Sequence, residues 1–172
     1  MKYCPECTAQ LDDKIIDGVE RKVCLSPDCG FVHWDNPVPV VAALVQHGEK
    51  IILARNVVWP AGRYSLITGY LEKNETPGQA VLREVKEELG LEGVVSGLIG
   101  CYSLFAANQI ILAMNVTATG ELLLGEEIAE TILVSREEMA HRPFGDLVIT
   151  SAIVRDWLGQ TAADNAAHIP RA

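Results

Sequence analysis

Three glutamates, Glu84, Glu87 and Glu88, stand at i, i+3 and i+4, so a helix through them carries all three carboxylates on one face. Oxygen ligands at that density suit a hard divalent cation such as Mg²⁺ or Mn²⁺. A plain solvated acidic face would carry two costs here. Glu84 and Glu88 are like charges one turn apart, and Glu87 and Glu88 fall in the last turn, where the helix dipole disfavours anions. A cation held among them relieves both, and Arg83, four residues before Glu87, is placed to orient that side chain. A second set lies at the N-terminus, where Cys4-x2-Cys7 and Cys24-x4-Cys29 are separated by sixteen residues. In a reducing compartment disulfides are disfavoured, and two close cysteine pairs across a hairpin-length spacer suit tetrahedral Zn²⁺; four reduced, buried cysteines are the plainer alternative.

Both sets need elements to hold them. Thr76 is a helix N-cap, Pro77 suits the first helical position, Gln79 completes a capping box and Gly90 ends the helix. Val81, Val85 and Leu89 then form an apolar stripe beside the carboxylates. Upstream, Val38 to Gln46 and Lys50 to Ala54 read as strands joined at His47-Gly48-Glu49, followed by a loop from Asn56 to Arg63 and a short strand from Tyr64 to Leu71. Downstream, Gly93 to Ser103, Gln109 to Thr119 and Thr131 to Val134 are predicted strands. Ser135 caps a single turn over Arg136 to Ala140, and Leu147 to Leu158 forms a closing amphipathic helix. Cys101, in an apolar run, is expected in the core. Around the four N-terminal cysteines, Lys14 to Val23 reads as a hairpin turning at Asp17-Gly18. Pro5, Ser26-Pro27-Asp28 and Gly30 supply the bends. So short a segment has almost no core, and metal supplies most of its folding free energy.

The chain has 172 residues, 49% apolar and 22% charged, which is the composition of a globular protein with room for a small domain and a medium one. The expected division is a small N-terminal module at 1–36, a main domain at 37–160 and a flexible tail at 161–172. Lys and Arg number 14 against 23 Asp and Glu, a net charge of −9, which argues against broad binding to a nucleic-acid backbone. The cysteine segment has four basic residues against seven acidic ones through Asp35, so packing or homodimer formation suits it better than nucleic acid. The longest apolar run, Val38 to Val45, is interrupted by Pro39 and too short to span a bilayer, and the N-terminus has no secretory character. The expectation is a cytoplasmic protein without a membrane partner.

The carboxylate segment reads Gly69, five residues, Glu75, seven residues, then Arg83-Glu84-Val85-Lys86-Glu87-Glu88-Leu89-Gly90-Leu91. It resembles the box of the Nudix hydrolases at every specified position, and the paired cysteines resemble a zinc ribbon. The combination is similar to bacterial NADH pyrophosphatases and to a group of short enzymes acting on FAD or ADP-ribose. The resemblance implies an α+β chain in which a small zinc ribbon precedes a Nudix αβα sandwich with a mixed sheet. It implies hydrolysis of the diphosphate bond in a nucleoside diphosphate linked to another moiety, with release of a nucleoside monophosphate. Glu84, Glu87, Glu88 and the Thr68 carbonyl would then be Mg²⁺ or Mn²⁺ ligands, while Cys4, Cys7, Cys24 and Cys29 hold Zn²⁺. Arg83 and Glu75 would hold helix and loop in register, Gly69 would leave room for backbone to approach the metal, and Glu127 would be general base or a further ligand, with Glu130 a structural alternative.

Two departures bear on the substrate. Tyr64-Ser65-Leu66-Ile67-Thr68-Gly69 replaces the Trp-x-Leu-Pro-Gly-Gly run common before the box. Ser103-Leu104-Phe105-Ala106-Ala107-Asn108-Gln109 stands where NADH pyrophosphatases carry a Ser-Gln-Pro-Trp-Pro-Phe-Pro-x-Ser array, which weighs against NADH. Asn108 and Gln109 would read polar edges of the ligand, and Phe105, Tyr64 and Trp59 are candidates for stacking on a base. A non-catalytic nucleotide sensor using the same fold is the competing expectation, but a sensor has no need of an intact carboxylate set.

Overall fold

The structure is a computed structural model describing residues 1–160; the predicted tail at 161–172 lies outside the described residues. The chain divides into two compact units, Met1–Pro37 and the residues from Val38 onward.

In the first unit, β1 (Leu11–Ile16), β2 (Val19–Cys24) and β3 (Val32–His33) form an antiparallel sheet in that order. The hairpin turns at Asp17 (φ 50°) and Gly18 (φ 81°), and two left-handed residues in a two-residue loop match the twist of the strands. Each cysteine pair sits on a tight backbone bend: Thr8 N–H donates to the Cys4 carbonyl at 2.9 Å, and Cys29 N–H to the Ser26 carbonyl at 3.1 Å. Cys4, Leu11 and Val23 are the only apolar residues of this unit that are buried, too few to carry its folding alone.

The second unit contains β4 (Val38–His47), β5 (Lys50–Asn56), β6 (Ile67–Tyr70), α1 (Pro77–Leu89), β7 (Glu92–Leu104), β8 (Gln109–Thr119), β9 (Ile128–Val134), α2 (Arg136–His141) and α3 (Val148–Gly159). The sheet runs β7-β8-β4-β5-β9, with β6 also on β4. β4 is parallel to β8 and every other pairing is antiparallel, so the sheet is mixed. β4 is a continuous apolar run because both its faces are covered. Val40, Ala42 and Leu44 pack with Met139, Ile153, Val154 and Trp157 of α2 and α3. Val41, Ala43 and Val45 pack with Val81, Val85 and Leu89 of α1. The result is the expected αβα sandwich.

α1 is capped as predicted. Gln79 N–H donates to Thr76 Oγ1 at 3.3 Å, Thr76 N–H donates to Gln79 Oε1 at 2.8 Å, and Gly90 closes the helix at φ 71°. β9 starts at Ile128, earlier than expected, because a bulge between Arg55 and Asn56 carries its pairing with β5 further. The core assignment of Cys101 is wrong. It pairs with Leu112 on the outermost strand β7, at the edge of the sheet, and it is exposed.

Candidate active site

The pairing of Val41 with Gly69 turns Gly69 toward α1, and Ala42 with Thr68 turns Thr68 to the other face. A Cβ on Gly69 would lie 1.9 Å from Glu84 Cδ, so this glycine leaves room for the Glu84 carboxylate. Arg83 is the hub of the segment. Its Nε and Nη2 donate to the two Glu75 oxygens at 3.1 and 2.9 Å, Nη2 also donates to the Tyr70 carbonyl at 3.1 Å, and Nη1 donates to Glu84 at 2.7 Å and Glu87 at 3.1 Å. Glu75 accepts in turn from Glu72 N–H at 2.6 Å. One guanidinium thus ties the end of β6, the following loop and the carboxylate helix together. It also holds the Glu75 carboxyl below the ordinary carboxylate range.

Sequence reasoning missed the device that completes the site. The last carbonyls of a helix have no partner within it. Here Leu123 N–H donates to the Leu89 carbonyl and Gly125 N–H to the Glu88 carbonyl, both at 2.9 Å. The approach is so close that a Cβ on Gly125 would lie 2.4 Å from the Glu87 carbonyl oxygen. This docking brings Glu126 and Glu127 to the wall of a cavity of about 690 Å³ shared with Thr68, Glu84, Glu87 and Glu88. A Gly between three Leu and two Glu was the only trace of it in the sequence.

Charge in this cavity is only partly compensated, by Arg83 at Glu84 and Glu87. Burial, then the neighbouring charges of Glu84, Glu127 and Glu87, push the Glu88 carboxyl up to about 8, and no donor contributes. Burial raises Glu84 as well, against the pull of Arg83. A half-buried carboxylate facing three others without a hydrogen-bond donor is the chemistry of a cation site. A raised folded-state pKa supplies stability that is present below the ordinary value of 4.5 and lost as pH climbs through about 8. Glu75 and Glu130 are shifted the other way, so their contribution disappears only on acidification below the ordinary range. In EDTA the melting temperature should therefore decline between pH 5 and 8. Mg²⁺ should restore it more at pH 8 than at pH 5, and a flat profile with equal Mg²⁺ effect at both would refute the arrangement.

A NUDIX domain profile matches residues 36–153. The chain belongs to the NUDIX family. Human "NAD-capped RNA hydrolase NUDT12" is 28% identical over 178 residues, covering 91% of this chain and 38% of the relative. "NAD-capped RNA hydrolase NudC" of Stutzerimonas stutzeri is 33% identical over 91 residues, 53% of this chain and 32% of that protein. Mouse "NAD(P)H pyrophosphatase NUDT13, mitochondrial" is 35% identical over 91 residues, 53% of this chain and 25% of that protein. The chain thus spans well under half the length of these curated relatives. A crystal structure of a NUDIX hydrolase from Nitrosomonas europaea superposes with a TM-score of 0.79 at 25% identity, over 92% of this chain and 91% of that one.

Of the other residues predicted for the Nudix site, Gln109 lines the carboxylate cavity, its Nε2 donating to Tyr70 Oη at 3.2 Å. Asn108 adopts the left-handed conformation (φ 51°) in the turn before β8, and its carbonyl accepts from Val38 N–H at 2.8 Å. Phe105 is 89% exposed and lines neither the carboxylate cavity nor the apolar one beside it. Tyr64 lies in a separate pocket with Arg142 and Phe144, hydrogen-bonded to Glu130. Glu130 is held by Arg55 Nε at 2.6 Å and stays outside the carboxylate cavity.

In the first unit, Cys4 Sγ lies 3.5 Å from Cys29 Sγ and Cys7 Sγ 3.4 Å from Cys24 Sγ, and all four sulfurs fall within 4.8 Å of one another. A tetrahedron with Zn–S bonds of about 2.3 Å has edges of about 3.8 Å, so the sulfurs fit one Zn²⁺. Among the described residues no other set of metal-ligating side chains converges this closely.

Proposed function

We propose that this Nudix chain hydrolyses the diphosphate bond of a nucleoside diphosphate linked to another moiety, such as FAD, NADH or ADP-ribose, and releases a nucleoside monophosphate. The observation that supports this most directly is the cavity in which Glu84, Glu87, Glu88 and Glu127 face one another with no donor at Glu88. An acidic cavity accepts a diphosphate only with a cation between them. Glu84, Glu87, Glu88 and the Thr68 carbonyl are the proposed ligands of Mg²⁺ or Mn²⁺. When bound, such an ion neutralises phosphate oxygens and acidifies water.

The chain's own residues do the rest. Arg83 keeps Glu84 and Glu87 in fixed orientation through its bonds at 2.7 and 3.1 Å, and Glu75 locks Arg83 itself. Glu127, carried by the loop docked on the helix end, takes the proton of the attacking water at its carboxylate. Cys4, Cys7, Cys24 and Cys29 hold a structural Zn²⁺.

A coupled phosphate-release assay in Mg²⁺ should find turnover on at least one of FAD, NADH, ADP-ribose and diadenosine polyphosphates. Relatives named for NAD-capped RNA and NAD(P)H add a capped oligonucleotide to the panel. No turnover on any of them, with metal supplied, would overturn the reading in favour of a sensor. Metal analysis should give about one Zn per chain, and Cys4→Ser should lose both the metal and the fold of the first unit. A Zn-free wild type with this unit folded would refute the ribbon.

A further inference from the structure

Glu88 and Glu127 also wall a small cavity of about 70 Å³, together with Thr68, Asn56 and Trp59. Its remaining walls, Ala54, Leu66 and Ile128, are buried and apolar. Such a volume holds about two waters, at roughly 30 Å³ each. Arg83, the cation bonded to Glu84 and Glu87, is not among its walls. When ionised, the two carboxylates therefore bring only acceptors to it.

The strand that carries Asn56 sets it into this cavity. β5 and β9 change register between Arg55 and Asn56, so that Arg55 pairs with Glu130 and Asn56 with Ile128. Past this bulge the chain docks on the acidic loop, Val57 N–H donating to the Glu127 carbonyl at 2.9 Å. That bond ties the backbone beside Asn56 directly to residue 127. The side chain is oriented as well. Val58 N–H donates to Asn56 Oδ1 at 3.1 Å, and only the oxygen of a carboxamide accepts, so the NH₂ group stands at the other corner of the planar amide. Among the described residues the Asn56 side chain makes no other hydrogen bond.

The preceding residue shows why a neutral donor belongs here. Arg55 donates from Nε to Glu130 at 2.6 Å and holds that carboxyl below the ordinary range, which suits a structural ion pair. A carboxylate that must take a proton is better served by an uncharged donor. An amide fixes its orientation without stabilising the anion as strongly as a guanidinium does.

We propose that Asn56 is a positioning residue for the hydrolysis: through a water in the small cavity its NH₂ group holds one oxygen of Glu127, and the other oxygen is left facing the carboxylate cavity. The inference rests on the reading of Glu127 as the group that takes the proton of the attacking water. A glutamate side chain on a loop has many rotamers, and a fixed partner removes those that turn its oxygens away from the substrate. Two carboxylates and an amide converging on a cavity of this size are the setting in which an ordered water is retained.

Two variants separate the turn at Val58 from the donor. Aspartate accepts from Val58 N–H as asparagine does but, ionised, has nothing to donate, whereas the serine hydroxyl can do both. In the full chain with saturating Mg²⁺, Asn56→Asp should lower kcat about tenfold or more with KM within about threefold, and Asn56→Ser should keep kcat within about threefold of wild type. Both should melt within a few degrees of wild type in Mg²⁺. Calorimetry should find Mg²⁺ bound no more weakly by Asn56→Asp, so that the lost turnover is not lost metal. A crystal structure of the wild type with Mg²⁺ should show a water within hydrogen-bond distance of both Asn56 Nδ2 and the Glu127 carboxylate. Unchanged kcat in Asn56→Asp, Asn56→Ser no better than Asn56→Asp, or no water between the two groups overturns the proposal. A wild type that turns over no diphosphate removes the hydrolase reading instead, and the water then decides: if it is present the bridge from Asn56 to Glu127 stands without the reaction, and if it is absent both fall.

Discussion

Glu88→Gln should reduce Mg²⁺-dependent turnover by about 100-fold or more while leaving the metal-free protein at least as stable as wild type at pH 7 to 8. The two effects have one cause. Glu88 is half-buried, faces Glu84, Glu127 and Glu87, and meets no donor, so its charge is tolerated only in exchange for a cation. Glutamine keeps the shape and removes the charge. In EDTA the variant should therefore lose the decline in melting temperature between pH 5 and 8, and Mg²⁺ should no longer stabilise it appreciably. Turnover within a few-fold of wild type would remove Glu88 from the metal assignment. A melting temperature well below wild type at pH 8 would show that the carboxylate has a partner other than a cation.

Gly125→Ala should destabilise the protein by about 1–3 kcal/mol and lower turnover at least tenfold, although residue 125 is not itself a ligand. The new Cβ would fall 2.4 Å from the Glu87 carbonyl, a backbone atom that cannot swing aside as a side chain can. Gly125 is absent from the residues with positive φ, so the penalty is steric rather than conformational. Relief requires the loop to lift from the helix, which breaks the 2.9 Å bond from Gly125 N–H to the Glu88 carbonyl and carries Glu127 away. Gly159→Ala is the control. It meets nothing within 4 Å at the end of α3, and there alanine should be neutral or slightly stabilising. Equal behaviour of the two variants would show that the docked loop is not what positions Glu127.

The carboxylate helix was readable in advance because each of its signals is local. The Thr76–Gln79 capping box, the Val81, Val85 and Leu89 stripe and the Gly90 stop all act within one or two turns, and they recur in the structure as expected. The Asp17-Gly18 hairpin was legible for the same reason, as was the αβα layering, since an apolar β4 without alternation demands cover on both faces. Cys101 was misread because apolar neighbours reveal a strand but not whether that strand lies at the edge of its sheet. The contact of Gly69 with Glu84 was not legible because the two stand fifteen positions apart, and spacing along the chain does not say which atom lies against a glycine.

Local patterning, then, was enough to establish which side chains carry the chemistry, because period 3.6 puts Glu84 and Glu88 on one helix face whatever the rest of the chain does. It could not say that an acidic loop would satisfy the orphaned carbonyls of that helix and so bring Glu127 beside them. Nor could it say that Trp59, rather than Phe105 or Tyr64, would face the neighbouring apolar cavity. Those outcomes follow from the pairing of distant strands and the close approach of backbones, which depend on where the whole sheet places its edges and loops.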